Sequence, residues 1–245
     1  MEENAFVMEI IAGVIFFCVG IRLYRLSRRT RQAPEYLVAL TFVAWALSFA
    51  IYDIPYFFTA EGESIAPAAA YGSLIALSVG NLALALFTRE VFRKGERWAT
   101  ALVVVIGLSM LFGMAGSAWV GDWEQIDPVA NPGYWPQTVG GLAPSVWMCV
   151  EGFTQYRNAR KRRRLGLCAP LTCHNFLLWG VAGALWMGLE FVLVAQDHIY
   201  LNVGDWSGAL GIANGLLEIV PIALMWLVFF PPAAYRRWVE GAAPA

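Results

Sequence analysis

All seventeen lysines and arginines of this chain fall in four clusters, and the stretches between the clusters are long, apolar and free of basic residues. Arg22, Arg25, Arg28, Arg29 and Arg31 form the first cluster, and Arg89, Arg93, Lys94 and Arg97 the second. Arg157, Arg160, Lys161, Arg162, Arg163 and Arg164 form the third, and Arg236 and Arg237 the fourth. Seven apolar segments separate and flank them, at roughly 5–24, 36–58, 67–88, 99–120, 137–156, 170–196 and 206–230. At ~1.5 Å per residue, helices of these lengths cross a hydrocarbon core ~30 Å thick. Seven crossings return every basic cluster to one side of a membrane. The positive-inside rule makes that side cytoplasmic, with the N-terminus outside and the C-terminus inside. A different number of crossings would scatter the clusters over both sides, so the charge pattern supports the count.

The expected fold is therefore an all-α, seven-transmembrane-helix bundle, a single domain over residues 1–245 in the cell membrane. Composition agrees, with 59 % of residues hydrophobic and 14 % charged, where soluble domains have about a quarter charged. A soluble bundle would also need polar outer faces, and Thr100–Val120 has no charge on any face. The start, MEENAF, is acidic where a secretory leader is basic, so the first segment reads as retained. Cys18 and Cys149 lie in apolar segments, and Cys168 and Cys173 on the basic side, so no disulfide is expected. The outer loops carry Glu61, Glu63, Asp122, Glu124, Asp127, Asp197 and Asp205 among tryptophans and tyrosines suited to an interfacial belt.

The two ends of the chain resemble each other. Residues 16–29 lie on 146–163 with Cys18 on Cys149 and Tyr24 on Tyr156. Both stretches run into an Ala-Pro pair, Ala33-Pro34 and Ala169-Pro170, and Asp53 and Glu190 follow at nearly equal distances. Asn81 precedes Val91-Phe92 as Glu218 precedes Val228-Phe229. Helices 1–3 thus match helices 5–7, over repeat halves of about 5–98 and 137–238, and helix 4 is the linker. Both triplets start on the same side, which makes a 3+1+3 parallel repeat. The plan is similar to that of the SWEET-class sugar transporters. The Pro136-Gln137 pair resembles the signature of the PQ-loop group, but the first segment has no counterpart to it, and no family is assigned.

The repeat sets the intramembrane polar residues in equivalent places: Asp53 with Glu190, Asn81 with Glu218, and Gly20 with Glu151. Counted from the segment ends, they form a ladder, with Asp53 and Glu190 in the outer third, Asn81 and Glu218 near the middle, and Glu151 in the inner half. Trp147 stands four residues before Glu151 and Trp186 four before Glu190, so each acid has an indole on its own helix face. An acid beside an aromatic face suits a cation or protonated amine. Asn214 shares a face with Glu218, and Pro221 frees the carbonyl of Leu217 beside it. No segment interior supplies a lysine or arginine, so these acids are expected either to be protonated or to receive a visiting cation.

Other chemistries are excluded by what is missing. Lys94 and Lys161 both lie on the cytoplasmic side, which rules out a retinal Schiff base in the last helix. His174 and His198 belong to opposite membrane faces and cannot share a haem. Cys168, Cys173 and His174 match no standard metal spacing, so no cofactor or metal is expected. The basic run 160–164 suits anionic lipid head groups rather than nucleic acid. The leading expectation is a protein that binds and translocates a small cationic solute or proton through an acidic pathway of Glu218, Asn214, Glu190, Trp186, Glu151, Trp147, Asn81 and Asp53. The alternatives are a receptor-like or accessory subunit without enzymatic activity, and a lipid-modifying enzyme that uses carboxylates.

Overall fold

Each apolar segment becomes a helix, and most of the helices run on past their apolar core into an adjoining polar or basic stretch. The computed structural model describes residues 3–58, 66–120, 131–200 and 207–241. The described residues form eight helices and no strand: α1 Glu3–Thr30, α2 Ala33–Phe58, α3 Pro67–Phe92, α4 Arg97–Val120, α5 Tyr134–Arg164, α6 Pro170–Tyr200, α7 Ser207–Phe229 and α8 Ala233–Gly241. The extensions have a physical cause: basic side chains in a last helical turn complement the partial negative charge of its carbonyls, as with Lys161 and Arg162–Arg164 in α5. The turns that follow α3 and α5 contain Gly95 and Gly166 in the left-handed region, at φ 83° and 72°.

Five helices, α1, α2, α3, α4 and α6, are long and apolar enough to cross a membrane, and α7 with α8 makes a sixth if the bent pair is one span. Helix α5 is not among them. Its buried face carries Ser145 and Glu151, while its exposed face is Trp135, Val139 and Val150. The helix thus turns Ser145 and Glu151 inward and apolar side chains of its first half outward. Helix α4 is apolar on its outer face as well, where Val104, Val105, Leu108, Leu111 and Phe112 are exposed. Broad apolar outer faces of this kind belong in lipid. The molecule is a helical, apolar bundle with the character of a multi-pass membrane protein.

The helices pack as a ring: α1 on α2, α2 on α3, α3 on α5, α5 on α6, α6 on α7, and α7 back on α1. The middle of the ring is filled by one hydrophobic core that includes Phe16, Phe42, Phe87, Met148, Trp179, Trp186, Ile222 and Met225. Helix α4 stands outside the ring against α3 and α5, through a second cluster around Ile106, Met110 and Trp147. Helix α5 comes so near α6 that a Cβ on Gly152 would meet the Gly180 backbone nitrogen at 2.4 Å. Such small-residue crossings let membrane helices gain dispersion contacts.

A feature beyond the sequence expectations is the short helix α8. It turns 80° from α7 at Pro231-Pro232, which cannot continue a helix. Tyr235 and Trp238 place their rings 5.7 and 5.8 Å from the His174 ring on α6. The acidic loop residues Glu61, Glu63, Asp122, Glu124, Asp127 and Asp205 lie outside the described residues, as do the side chains of Asp53, Asp197 and His198.

Candidate functional site

Two polar groups sit on α5, separated by ten residues and so by ~15 Å of helix. The inner one centres on Glu151, which is 3 % exposed. Its Oε1 accepts a 2.7 Å bond from Arg93 Nε at the end of α3 and a 3.4 Å bond from Trp147 Nε1 one turn earlier. Arg93 also approaches Glu96 at 3.4 Å and lies over the Trp98 ring at 5.4 Å. The indole of Trp98 donates to Glu96 and packs 5.9 Å from Trp147. The hydrogen bond to Glu151 raises the Arg93 guanidinium further above its ordinary value, so this arginine stays charged at any physiological pH. The expectation that no basic residue reaches the intramembrane acids is corrected here. Arg93 belongs to a cluster whose main effect on the sequence is topological, but its side chain folds back onto α5 and neutralises Glu151.

The outer group lies where α2, α3, α5 and α6 meet. Trp45 Nε1 on α2 donates to Asn81 Oδ1 on α3 at 3.1 Å. That bond fixes which end of the amide faces where, leaving the Asn81 nitrogen, a donor, turned toward α5. Opposite it stands Glu190 on α6. A Cβ built on Gly141 of α5 would lie 3.5 Å from Asn81 Nδ2 and 3.5 and 3.6 Å from the two Glu190 oxygens. Gly141 therefore leaves room for no more than a methyl group between α5 and the Asn81 and Glu190 side chains. Trp186, one turn before Glu190, is 3 % exposed, and its Nε1 has no hydrogen-bond partner among the described residues. It meets Trp45 edge-on at 5.1 Å and Phe42 at 6.1 Å. Glu190 makes no hydrogen bond or ion pair among the described residues.

Of the expected site residues, the structure brings Asn81, Trp186 and Glu190 together. It joins Trp147 and Glu151 in a separate inner group. Asn81 and Glu190 flank one position of α5, so they share a level rather than occupying successive rungs. On α7, Asn214 is buried and Glu218 half-buried, and neither side chain is free. The Asp53 side chain is outside the described residues. Sequence reasoning did not single out Trp45 or Gly141. The signal for Gly141 was present in the Gly140-Gly141 pair, within a segment that also contains Pro144. Compared with protein-family models, curated proteins and solved structures, the chain matches none.

Proposed function

We propose that this chain is a seven-span membrane protein that binds and translocates a small cationic solute or a proton, with Glu190 as the binding group. The observation that carries the reading is a half-buried acid inside an apolar bundle, with no hydrogen bond or counter-ion among the described residues, beside the Asn81 amide and a glycine. A carboxylate in that setting is costly unless it is protonated or meets a cation. The fixed Asn81 amide offers a donor beside it, and the Trp45 and Trp186 indoles offer aromatic walls. Glu218, Asn214 and Asp53 complete the proposed pathway through their places in the repeat.

The repeat and the orientation belong to the same proposal. Exchanging α1 with α5, α2 with α6 and α3 with α7 turns the α3–α5 seam into the α7–α1 seam, so the ring maps onto itself. That favours two halves related by an axis along the membrane normal. Helix α5 serves as the remaining span because its polar residues face protein. Gathering all seventeen basic residues on one side places the N-terminus outside and the C-terminus in the cytoplasm.

Reconstituted vesicles carrying a trapped pH dye, challenged with a potential and then with small amines, test the reading. Proton or amine-coupled flux is expected from the native chain and loss of most of it from Glu190→Gln, with unchanged folding. Flux no greater than that of empty vesicles, or full flux from the variant, would sink it.

A further inference from the structure

The seam between α1 and α7 holds Arg22, an arginine that makes no ion pair among the described residues. Arg22 lies within the α1 span Ile10–Thr30, exposed on the flank of the bundle. Its guanidinium carbon sits 4.4 Å from the ring centroids of both Trp226 and Phe230 on α7. Those rings pack on each other at 4.9 Å. Two aromatic faces therefore hold one planar cation, which restricts its orientation and leaves its five N–H donors to point along the guanidinium edge. No carboxylate pairs with Arg22 among the described residues. The α3–α5 seam answers its arginine with Glu151, but in the alignment of the halves α1 has Gly20 at that place. Arg25 and Arg29 follow at helical spacing on the same flank and are also exposed.

We propose that this seam binds the phosphodiester of an anionic phospholipid from the leaflet on the basic side. The planar fork of an arginine matches two phosphate oxygens, which a point-charge ammonium does not. As the first member of the basic cluster that ends α1, Arg22 stands where the anionic head groups of that leaflet are the anions at hand. The half-buried Trp226 and Phe230 rings would then line the path of the glycerol and first acyl carbons. The occupant is a lipid rather than a soluble anion because the flank opens outward, where Cys18 and Ile11, exposed on the same face of α1 as Arg22, are apolar.

The test is native mass spectrometry of the full-length chain, delipidated in detergent and offered equal amounts of phosphatidylglycerol and phosphatidylcholine. The native chain is expected to retain phosphatidylglycerol preferentially. Arg22→Gln should reduce that preference at least about fivefold, and Arg22→Lys, which keeps the charge but not the fork, about threefold. Arg97→Gln, an exposed arginine at the start of α4 and away from this seam, should leave it unchanged. Trp226→Leu keeps the charge and removes one wall, so it should weaken retention by about threefold even if Arg22→Gln fails to fold. Equal retention by the native chain and these seam variants would overturn the site. Complete displacement of the lipid by millimolar inorganic phosphate would overturn the lipid as occupant.

Discussion

Trp147–Glu151 on α5 and Trp186–Glu190 on α6 are the same pair written twice, an indole four residues ahead of a glutamate. Their fates differ. The first indole donates to its glutamate at 3.4 Å, and Arg93 closes the same oxygen at 2.7 Å. The second indole is buried without a partner, and its glutamate has no bond among the described residues. What separates them is what the neighbouring helices bring. Helix α3 brings an arginine to the inner pair, but an asparagine amide already engaged by Trp45 to the outer one. A satisfied acid ties helices together. Glu190, half-buried where Glu151 is 3 % exposed, is the acid that the proposal gives to a ligand. Four measurements can break or sharpen that contrast.

The largest effect should come from Arg93→Ala, which leaves Glu151 buried and charged with one indole for company. Removing one member of a buried pair costs ~3–5 kcal/mol, and because Arg93 is 30 % exposed we expect about 2–3 kcal/mol. Thermal unfolding in detergent reads this, and the double change with Glu151→Leu should recover most of the loss. An unchanged melting temperature in the single variant would mean that Glu151 is not held as an ion. Two glycines of α5 come next. Gly152→Ala puts a methyl 2.4 Å from the Gly180 nitrogen, and overpacking of that kind costs ~1–3 kcal/mol. Gly141→Ala puts one at 3.5 Å from Asn81 and Glu190, an ordinary contact, so stability should move by less than ~1 kcal/mol while solute flux falls. Equal effects at the two positions would erase the distinction between packed seam and open site.

Third, Trp147→Phe and Trp186→Phe remove similar volume, but only the first removes a hydrogen bond. The first should cost about 0.5–1 kcal/mol more than the second. Smallest of all, Glu190→Gln should change stability by no more than ~0.5 kcal/mol, because no native bond is lost. A large destabilisation there, measured by the same unfolding transition, would reveal a structural partner and turn the outer acid into a second copy of the inner one.

Much of this was legible in the sequence. The apolar segments between basic clusters located seven long helices, and the i, i+4 spacing paired each tryptophan with its glutamate. Which pair would be satisfied was not legible, because Arg93 reaches Glu151 across 58 residues and only tertiary packing brings them together. The same limit hid Trp45, whose single polar atom matters only once α2 lies on α3. It also explains the two levels: counting from segment ends set Asn81 and Glu190 on different rungs, but helices of unequal length and stagger bring them to one. Helix α8 escaped notice because nine residues after a double proline carry too little apolar sequence to announce a helix. It takes shape against His174.

The glycine crossings constrain how the bundle can deform. At the α1–α2, α2–α3 and α5–α6 seams a glycine brings backbone against backbone: Gly20 faces the Val43 nitrogen and Ala39 oxygen, Gly80 the Thr41 oxygen, and Gly152 the Gly180 nitrogen. Main chains locked at that distance cannot shear past one another without opening a gap. The α3–α5 and α1–α7 seams are spanned by long side chains instead, Arg93 to Glu151 and Arg22 to Trp226 and Phe230. Side chains can swing through rotamers while their helices part. Strain imposed on this molecule is therefore expected to open the α3–α5 and α1–α7 seams, on opposite sides of the ring and each spanned by a single arginine, before the glycine-locked ones.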